Sequence, residues 1–167
     1  QFYSTLKKQF PFQPTVKQDV FFQQISEFLT NTNKEQVFVL KGYAGTGKTT
    51  VISTIVNNLS ILNKKYVLLA PTGRAAKVIA NYSHKPAFTI HKKIYFPKKN
   101  SGGGVSFTLQ PNKHKDTIFI VDEASMISDV NQESKLYDNG SLLDELISYV
   151  YAGVNCKMIL LGDTAQL

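Results

Sequence analysis

The eight residues Gly42-Tyr43-Ala44-Gly45-Thr46-Gly47-Lys48-Thr49 have the spacing G-x-x-x-x-G-K-[ST]. Glycines at 42, 45 and 47 let the backbone curl without a Cβ penalty, so successive N–H groups can turn toward phosphate oxygens. The expected cradle comprises the backbones of Gly42, Ala44, Gly45, Thr46 and Gly47, continued by Lys48, Thr49 and Thr50 at the positive end of a following helix. Lys48 supplies a point charge for β- and γ-phosphates, and the Thr49 hydroxyl suits a Mg²⁺ ion. A Gly-rich link between strand and helix would account for the glycines but not for Lys-Thr at this position.

Two further polar turns follow apolar runs. Ile118-Phe119-Ile120-Val121 ends in Asp122-Glu123. Asp122 is placed to hold Mg²⁺ through its water shell, and Glu123 to orient and deprotonate an attacking water. Alone, such an acidic pair also serves as a helix cap; beside the lysine loop it reads as catalytic. Leu160-Leu161-Gly162-Asp163-Thr164-Ala165-Gln166-Leu167 repeats the pattern, with Gln166 as a candidate sensor of the γ-phosphate. In isolation this last segment would be only a Gly-Asp turn with an incidental glutamine.

These turns need a scaffold that brings strand ends together. Val37–Leu40, Tyr66–Ala70, Thr117–Val121 and Lys157–Leu161 are nearly continuous apolar runs, the pattern of parallel strands buried on both faces. Helical periodicity covers Thr15–Leu29, Thr49–Leu62, Gly73–Ala80 and Leu142–Tyr151. The alternation predicts an open α/β sheet with right-handed crossovers, whose ligands bind at the carboxyl ends of the strands. Ile94–Gln110 falls outside the rhythm and reads as a small hairpin around the tip Asn100-Ser101-Gly102-Gly103-Gly104. Asp129–Gly140 is polar and aperiodic, as a loop would be, and no internal repeat is present.

The 167 residues, 43% apolar, suit one domain that buries roughly 70% of its unfolded surface. The single cysteine, Cys156, has no partner for a bridge, which fits a reducing, cytoplasmic compartment. The first residues lack the apolar core of a signal peptide, and no run approaches the length of a membrane span, so a soluble protein without a membrane partner is expected. A net charge of +7 points to an anionic partner. Between His91 and Lys115 stand six lysines (Lys92, Lys93, Lys98, Lys99, Lys113, Lys115), no carboxylate, and the aromatics Tyr95, Phe96 and Phe107. That combination suits single-stranded nucleic acid, although lysines on a solvated loop look similar.

The motifs together resemble superfamily 1 helicases, in particular the 5′-to-3′ branch that contains the exonuclease V alpha subunit (RecD-like) proteins. Pro14-Thr15-Val16-Lys17-Gln18 is similar to the branch's adenine-recognising segment, which implies that Gln18 reads the base. Ala70-Pro71-Thr72-Gly73-Arg74-Ala75-Ala76 is similar to its first DNA-contacting motif, and Thr89-Ile90-His91 to its Thr-x-His element. Val121-Asp122-Glu123-Ala124-Ser125-Met126 resembles the second helicase motif, and Gly162–Leu167 the beginning of the third. Physically, Thr72, Gly73 and Arg74 at a strand end, with Thr89 and His91, can bind phosphate or stack on bases; taken singly, Thr72 and Arg74 read as a cap and a solvated residue at a helix start, and His91 as a core histidine. The hairpin lies where this branch inserts a strand-separating pin, with Lys98 and Lys99 on it.

The resemblance implies a P-loop NTPase with a RecA-like fold: an open parallel sheet with helices on both faces and an inserted hairpin over 94–110. It implies ATP and Mg²⁺ as ligands and single-stranded DNA as partner. Residues 1–167 would form the first RecA-like domain, truncated at the third motif, with a second such domain and its arginine finger expected in a longer chain. A nucleotide-gated binding module and an RNA helicase are the rival readings; Glu123 favours an enzyme over the first, because pure binding needs no base.

Overall fold

The apolar runs need no polar face because each strand feeds two cores. In the computed structural model, which describes residues 1–31, 37–40, 47–127 and 141–162, the helices are α1 (Phe2–Gln9), α2 (Val16–Thr30), α3 (Gly47–Asn58), α4 (Gly73–Ser83), α5 (Ile90–Ile94) and α6 (Leu142–Ala152). The strands are β1 (Val37–Leu40), β2 (Lys65–Ala70), β3 (Ala87–Thr89), β4 (Tyr95–Lys99), β5 (Val105–Leu109), β6 (Thr117–Val121) and β7 (Lys157–Leu161). Five strands pair in parallel in the order β1-β7-β6-β2-β3, and β4 pairs antiparallel with β5.

Alternation along the strands assigns the faces. Leu68, Ala70, Ile118, Ile120, Ile159 and Leu161 join one core with α1, α2, α3 and α4. Val67, Leu69, Phe119, Val121, Met158 and Leu160 join the other with α5, α6 and the hairpin root. Helices therefore cover both faces, as the sequence predicts. No helix among the described residues is long and apolar enough to cross a membrane.

The edges depart from the sequence reading. β1 is only half-buried, with Val39 exposed, because as an edge strand it has one neighbour, β7. β3 is the other edge; at three residues it is too short to show a period, and its pairing with β2 creates it. The helix α1 also went unassigned in the sequence, since only Phe2 and Leu6 of it are buried.

Hydroxyl caps start the helices that matter. Thr15, Thr72, Thr89 and Ser141 each accept the backbone N–H three residues on, and a cap of this kind contributes about 1 kcal/mol. At the other end of α2, the buried Lys157 of β7 donates to the carbonyls of Phe28 and Asn31 and lies 4.9 Å from the Phe28 ring. Burial, with Lys64 adding to it, pushes its pKa below 10.5.

The hairpin root is tied to α6 and the tip is not. The Tyr95 hydroxyl donates to the fully buried Glu145 of α6 (2.9 Å), and Gln110 Nε2 donates to the Tyr95 carbonyl (2.6 Å). Asn100 and Gly104 close the turn, with Gly103 at φ 92, a conformation that glycine takes without a Cβ clash. Residues 128–140, which include the whole Asp129–Gly140 segment expected to be a loop, lie outside the described residues.

Candidate functional site

Successive residues of a strand point to opposite faces, yet Asp122 and Glu123 both reach one lysine. Lys48, in the first turn of α3, has its Nζ 3.0 Å from Asp122 Oδ1 and 3.4 Å from Glu123 Oε1. The chain makes this possible by leaving β geometry at once: Glu123 has φ 54 and ψ 38, the left-handed region. A non-glycine residue there costs of order 1–3 kcal/mol and persists where surrounding contacts hold it. Here they include the Glu123 N–H, which donates to Asp122 Oδ1 at 2.9 Å.

Asp122 is buried and well partnered. Besides Lys48 and the Glu123 N–H, its Oδ2 accepts the Tyr82 hydroxyl at 3.0 Å, and its own N–H continues the sheet to the Leu69 carbonyl. Tyr82 carries no motif, so the sequence reading passed over it. The signal was positional: Ala75, Val78 and Tyr82 stand at helical spacing on α4. Thr72, Arg74, Ala75, Val78 and Met126 line a cavity of about 170 Å³ together with both carboxylates. The nucleotide candidates and the first nucleic-acid candidates thus share one wall.

The acidic pair and the lysine fit a Mg²⁺–nucleotide complex by their chemistry: a buried cation shared by two carboxylates at one strand end can exchange them for phosphates, and the carboxylates can exchange it for a metal ion. Gly47 and Thr50 occupy the same first turn of α3 as Lys48. Gly42, Ala44, Gly45, Thr46, the side chain of Thr49, and Gln166 lie outside the described residues.

Gln18 takes part in a helix cap. It is buried at the start of α2 in a closed capping box: its N–H donates to Thr15 Oγ1 (3.1 Å) and its Oε1 accepts the Thr15 N–H (2.9 Å). With the amide oxygen so used, the NH₂ group remains to read a base.

The candidate nucleic-acid residues and the lysines between His91 and Lys115 do not share one surface. Thr72 and Thr89 are helix caps whose Oγ1 atoms accept from Ala75 N and Lys92 N, both at 3.1 Å; Gly73 and Arg74 are exposed beside the cavity. His91 packs against Tyr95 and Phe107, with ring centroids 5.6 and 5.3 Å away. Lys98 and Lys99 project from the exposed hairpin. Lys113 and Lys115, however, precede β6 and lie at the opposite, amino-terminal end of the sheet, where Lys115 bridges to Val154. The tertiary crossing of α5 and the hairpin over the sheet, invisible to residue spacing, splits the lysines between two ends.

A parallel sheet that presents a phosphate-loop lysine to two strand-end carboxylates is the arrangement of a P-loop nucleotide-binding domain, and the chain belongs to the family described as an AAA domain, which residues 25–167 match. It is 31% identical over 133 residues, 79% of this chain, to the ATP-dependent RecD2 DNA helicase of Deinococcus radiodurans. It is 31% identical over 137 residues, 80% of this chain, to the ATP-dependent DNA helicase dda of enterobacteria phage T4. An uncharacterized protein of Acanthamoeba polyphaga mimivirus is 32% identical over 173 residues, 90% of this chain. The chain spans only 16%, 28% and 32% of the lengths of these three proteins.

Proposed function

We propose that this chain is the ATP-binding motor domain of an ATP-dependent 5′-to-3′ DNA helicase, the first of two RecA-like domains. The observation that carries the reading is the Lys48–Asp122–Glu123 cluster, whose carboxylates line one cavity with Thr72 and Arg74. Lys48 leaves the carboxylates for the β- and γ-phosphates of ATP, while Asp122 and Thr49 hold Mg²⁺. When bound, Mg²⁺ neutralises charge on the transferring phosphoryl group. Glu123, released from Lys48 and partly solvated, takes a proton from the water that attacks the γ-phosphorus as the bond to the β–γ bridging oxygen breaks, giving ADP and phosphate. Gln166 senses the γ-phosphate.

Thr72, Gly73, Arg74, Thr89 and His91 contact the single strand from α4 and α5. Closure of a second RecA-like domain on ATP, and reopening after hydrolysis, would move that strand stepwise. DNA is favoured over RNA because two of the similar proteins are named as DNA helicases. A reducing, cytoplasmic setting suits the buried free thiol of Cys156.

The test uses the full-length protein. Single-stranded DNA should stimulate ATP hydrolysis, and duplexes with a 5′ tail should be unwound in preference to those with a 3′ tail. Glu123→Gln should keep ATP affinity and lose turnover by roughly 10² or more, the usual worth of a positioned base. Intact turnover in that variant would assign the base elsewhere, a 3′-tail preference would refute the direction, and stimulation by RNA alone would favour the RNA reading.

A further inference from the structure

The hairpin has two faces, and they lead to different places. Cross-strand pairing puts Phe96 and Lys98 with Thr108 and Ser106 on one face, and Tyr95, Pro97 and Lys99 with Leu109, Phe107 and Val105 on the other. His91 packs on the second face, against Tyr95 and Phe107. The first runs down into a pocket of about 290 Å³ lined by Lys93, Phe96, Gln110, Lys113, His114 and Tyr149. Lys93 follows His91 by two residues on one helical turn, about 200° around its axis, so it too points away from the His91 side.

We propose that this pocket is a second strand-binding site, which takes the sugar-phosphate backbone and one stacked base of a single nucleic-acid strand on the side of the hairpin opposite His91. The proposal rests on the helicase reading above. Two lysines line the pocket beside His114, and among the described lining residues there is no carboxylate. Phe96, 53% exposed, offers an open ring beside them, and the buried Tyr149 forms the floor. Lysines beside an exposed aromatic make a sequence-tolerant platform for phosphate and base. Its volume lies at the lower limit of small-ligand pockets, roughly 300–1,000 Å³, so it suits one unit of a polymer better than a whole cofactor.

The position separates this site from the nucleotide. His114 and Lys113 precede β6 and Asp122 follows it, with the five strand residues spanning about 16 Å between them. Burial, reinforced by Lys93 and Lys65, holds the His114 pKa below 6.5, which leaves a neutral imidazole beside the ammonium groups near neutral pH. A hairpin that divides two strands needs a surface for each, and the Phe96–Lys98 face with its pocket supplies the second.

The test is fluorescence anisotropy with the full-length protein, without nucleotide, on three probes: an oligo-dT single strand, a duplex with one oligo-dT arm, and a fork with two such arms. The variant combines Phe96→Ala with Lys113→Glu, both exposed positions, and its thermal melt reports on folding. Wild type should bind the two-armed fork about tenfold more tightly than the one-armed duplex, as one stacked base and a phosphate contact allow. The double variant should lose that preference and keep wild-type affinity for the single strand. A preference that survives in the variant overturns the proposal, as does an equal loss on the single strand, which would make the pocket part of one continuous track. Wild type that binds single strands but not the fork preferentially refutes the second site alone; wild type that binds none of the probes refutes the helicase reading as well.

Discussion

Lys48→Ala should destabilise the nucleotide-free protein as well as weaken nucleotide binding. Side-chain exposure is 11% for Lys48, 4% for Asp122 and 31% for Glu123, so the substitution leaves one carboxylate buried without its cation. Removing one partner of a buried ion pair costs roughly 3–5 kcal/mol. Asp122 keeps the Tyr82 hydroxyl and the Glu123 N–H, and Glu123 is partly solvated, so the expected loss is about 1–3 kcal/mol. Urea unfolding in the presence of a chelator measures it. Adding Asp122→Asn to Lys48→Ala removes the stranded charge; the amide oxygen still accepts the Glu123 N–H and the NH₂ group donates to the Tyr82 hydroxyl, so most of the loss should be recovered. Saturating Mg²⁺-ATP should then raise wild-type stability by about 2.7 kcal/mol at a hundred times its Kd, and raise Lys48→Ala by much less. A Lys48→Ala protein as stable as wild type, or one destabilised further by Asp122→Asn, would refute the ion pair and the partner exchange built on it.

Tyr82→Phe should weaken the Mg²⁺ dependence of ATP hydrolysis, raising the Mg²⁺ needed for half-maximal rate while the melting temperature changes little, because one of the donors that orient Asp122 is lost; an unchanged Mg²⁺ titration would make that contact incidental. Gln18→Ala should cost about 1 kcal/mol through the opened capping box and reduce the preference for ATP over GTP; a stability loss with nucleotide preference intact would assign Gln18 to the cap alone. His114 has a folded pKa below its ordinary 6.5, so the unfolded chain binds the extra proton and stability should fall as the pH drops through 6.5. Thermal melts across that range should show a shallower acid loss in His114→Gln; equal slopes would place the titrating group elsewhere.

What local chemistry settles was legible in the residues. Continuous apolar runs at 117–121 and 157–161 can only be strands with both faces covered, and the structure begins and ends those strands at the same residues. Thr15 and Thr72 stand at the start of helical periodicity, and both cap. The pairing of a phosphate-loop lysine with a strand-end acidic pair was legible too, because in a parallel α/β sheet strand ends converge on one edge. The sequence could not show what depends on the approach of distant elements. The hydroxyl of Tyr82 meets Asp122 across 40 residues, and β3 becomes a strand only because β2 offers it a ladder. Gln18 carries the residue type of a base reader, but a neighbouring backbone N–H holds its amide oxygen. Lys98 and Lys113 are fifteen positions apart in a single basic stretch, yet the chain carries one out along the hairpin and returns the other to the amino-terminal end of the sheet. Spacing along the chain determines which groups can share a turn or a face of one element; which groups share a site is decided by how α4, α5 and the hairpin pack across the sheet, since burial and pairing between remote segments leave no period in the sequence.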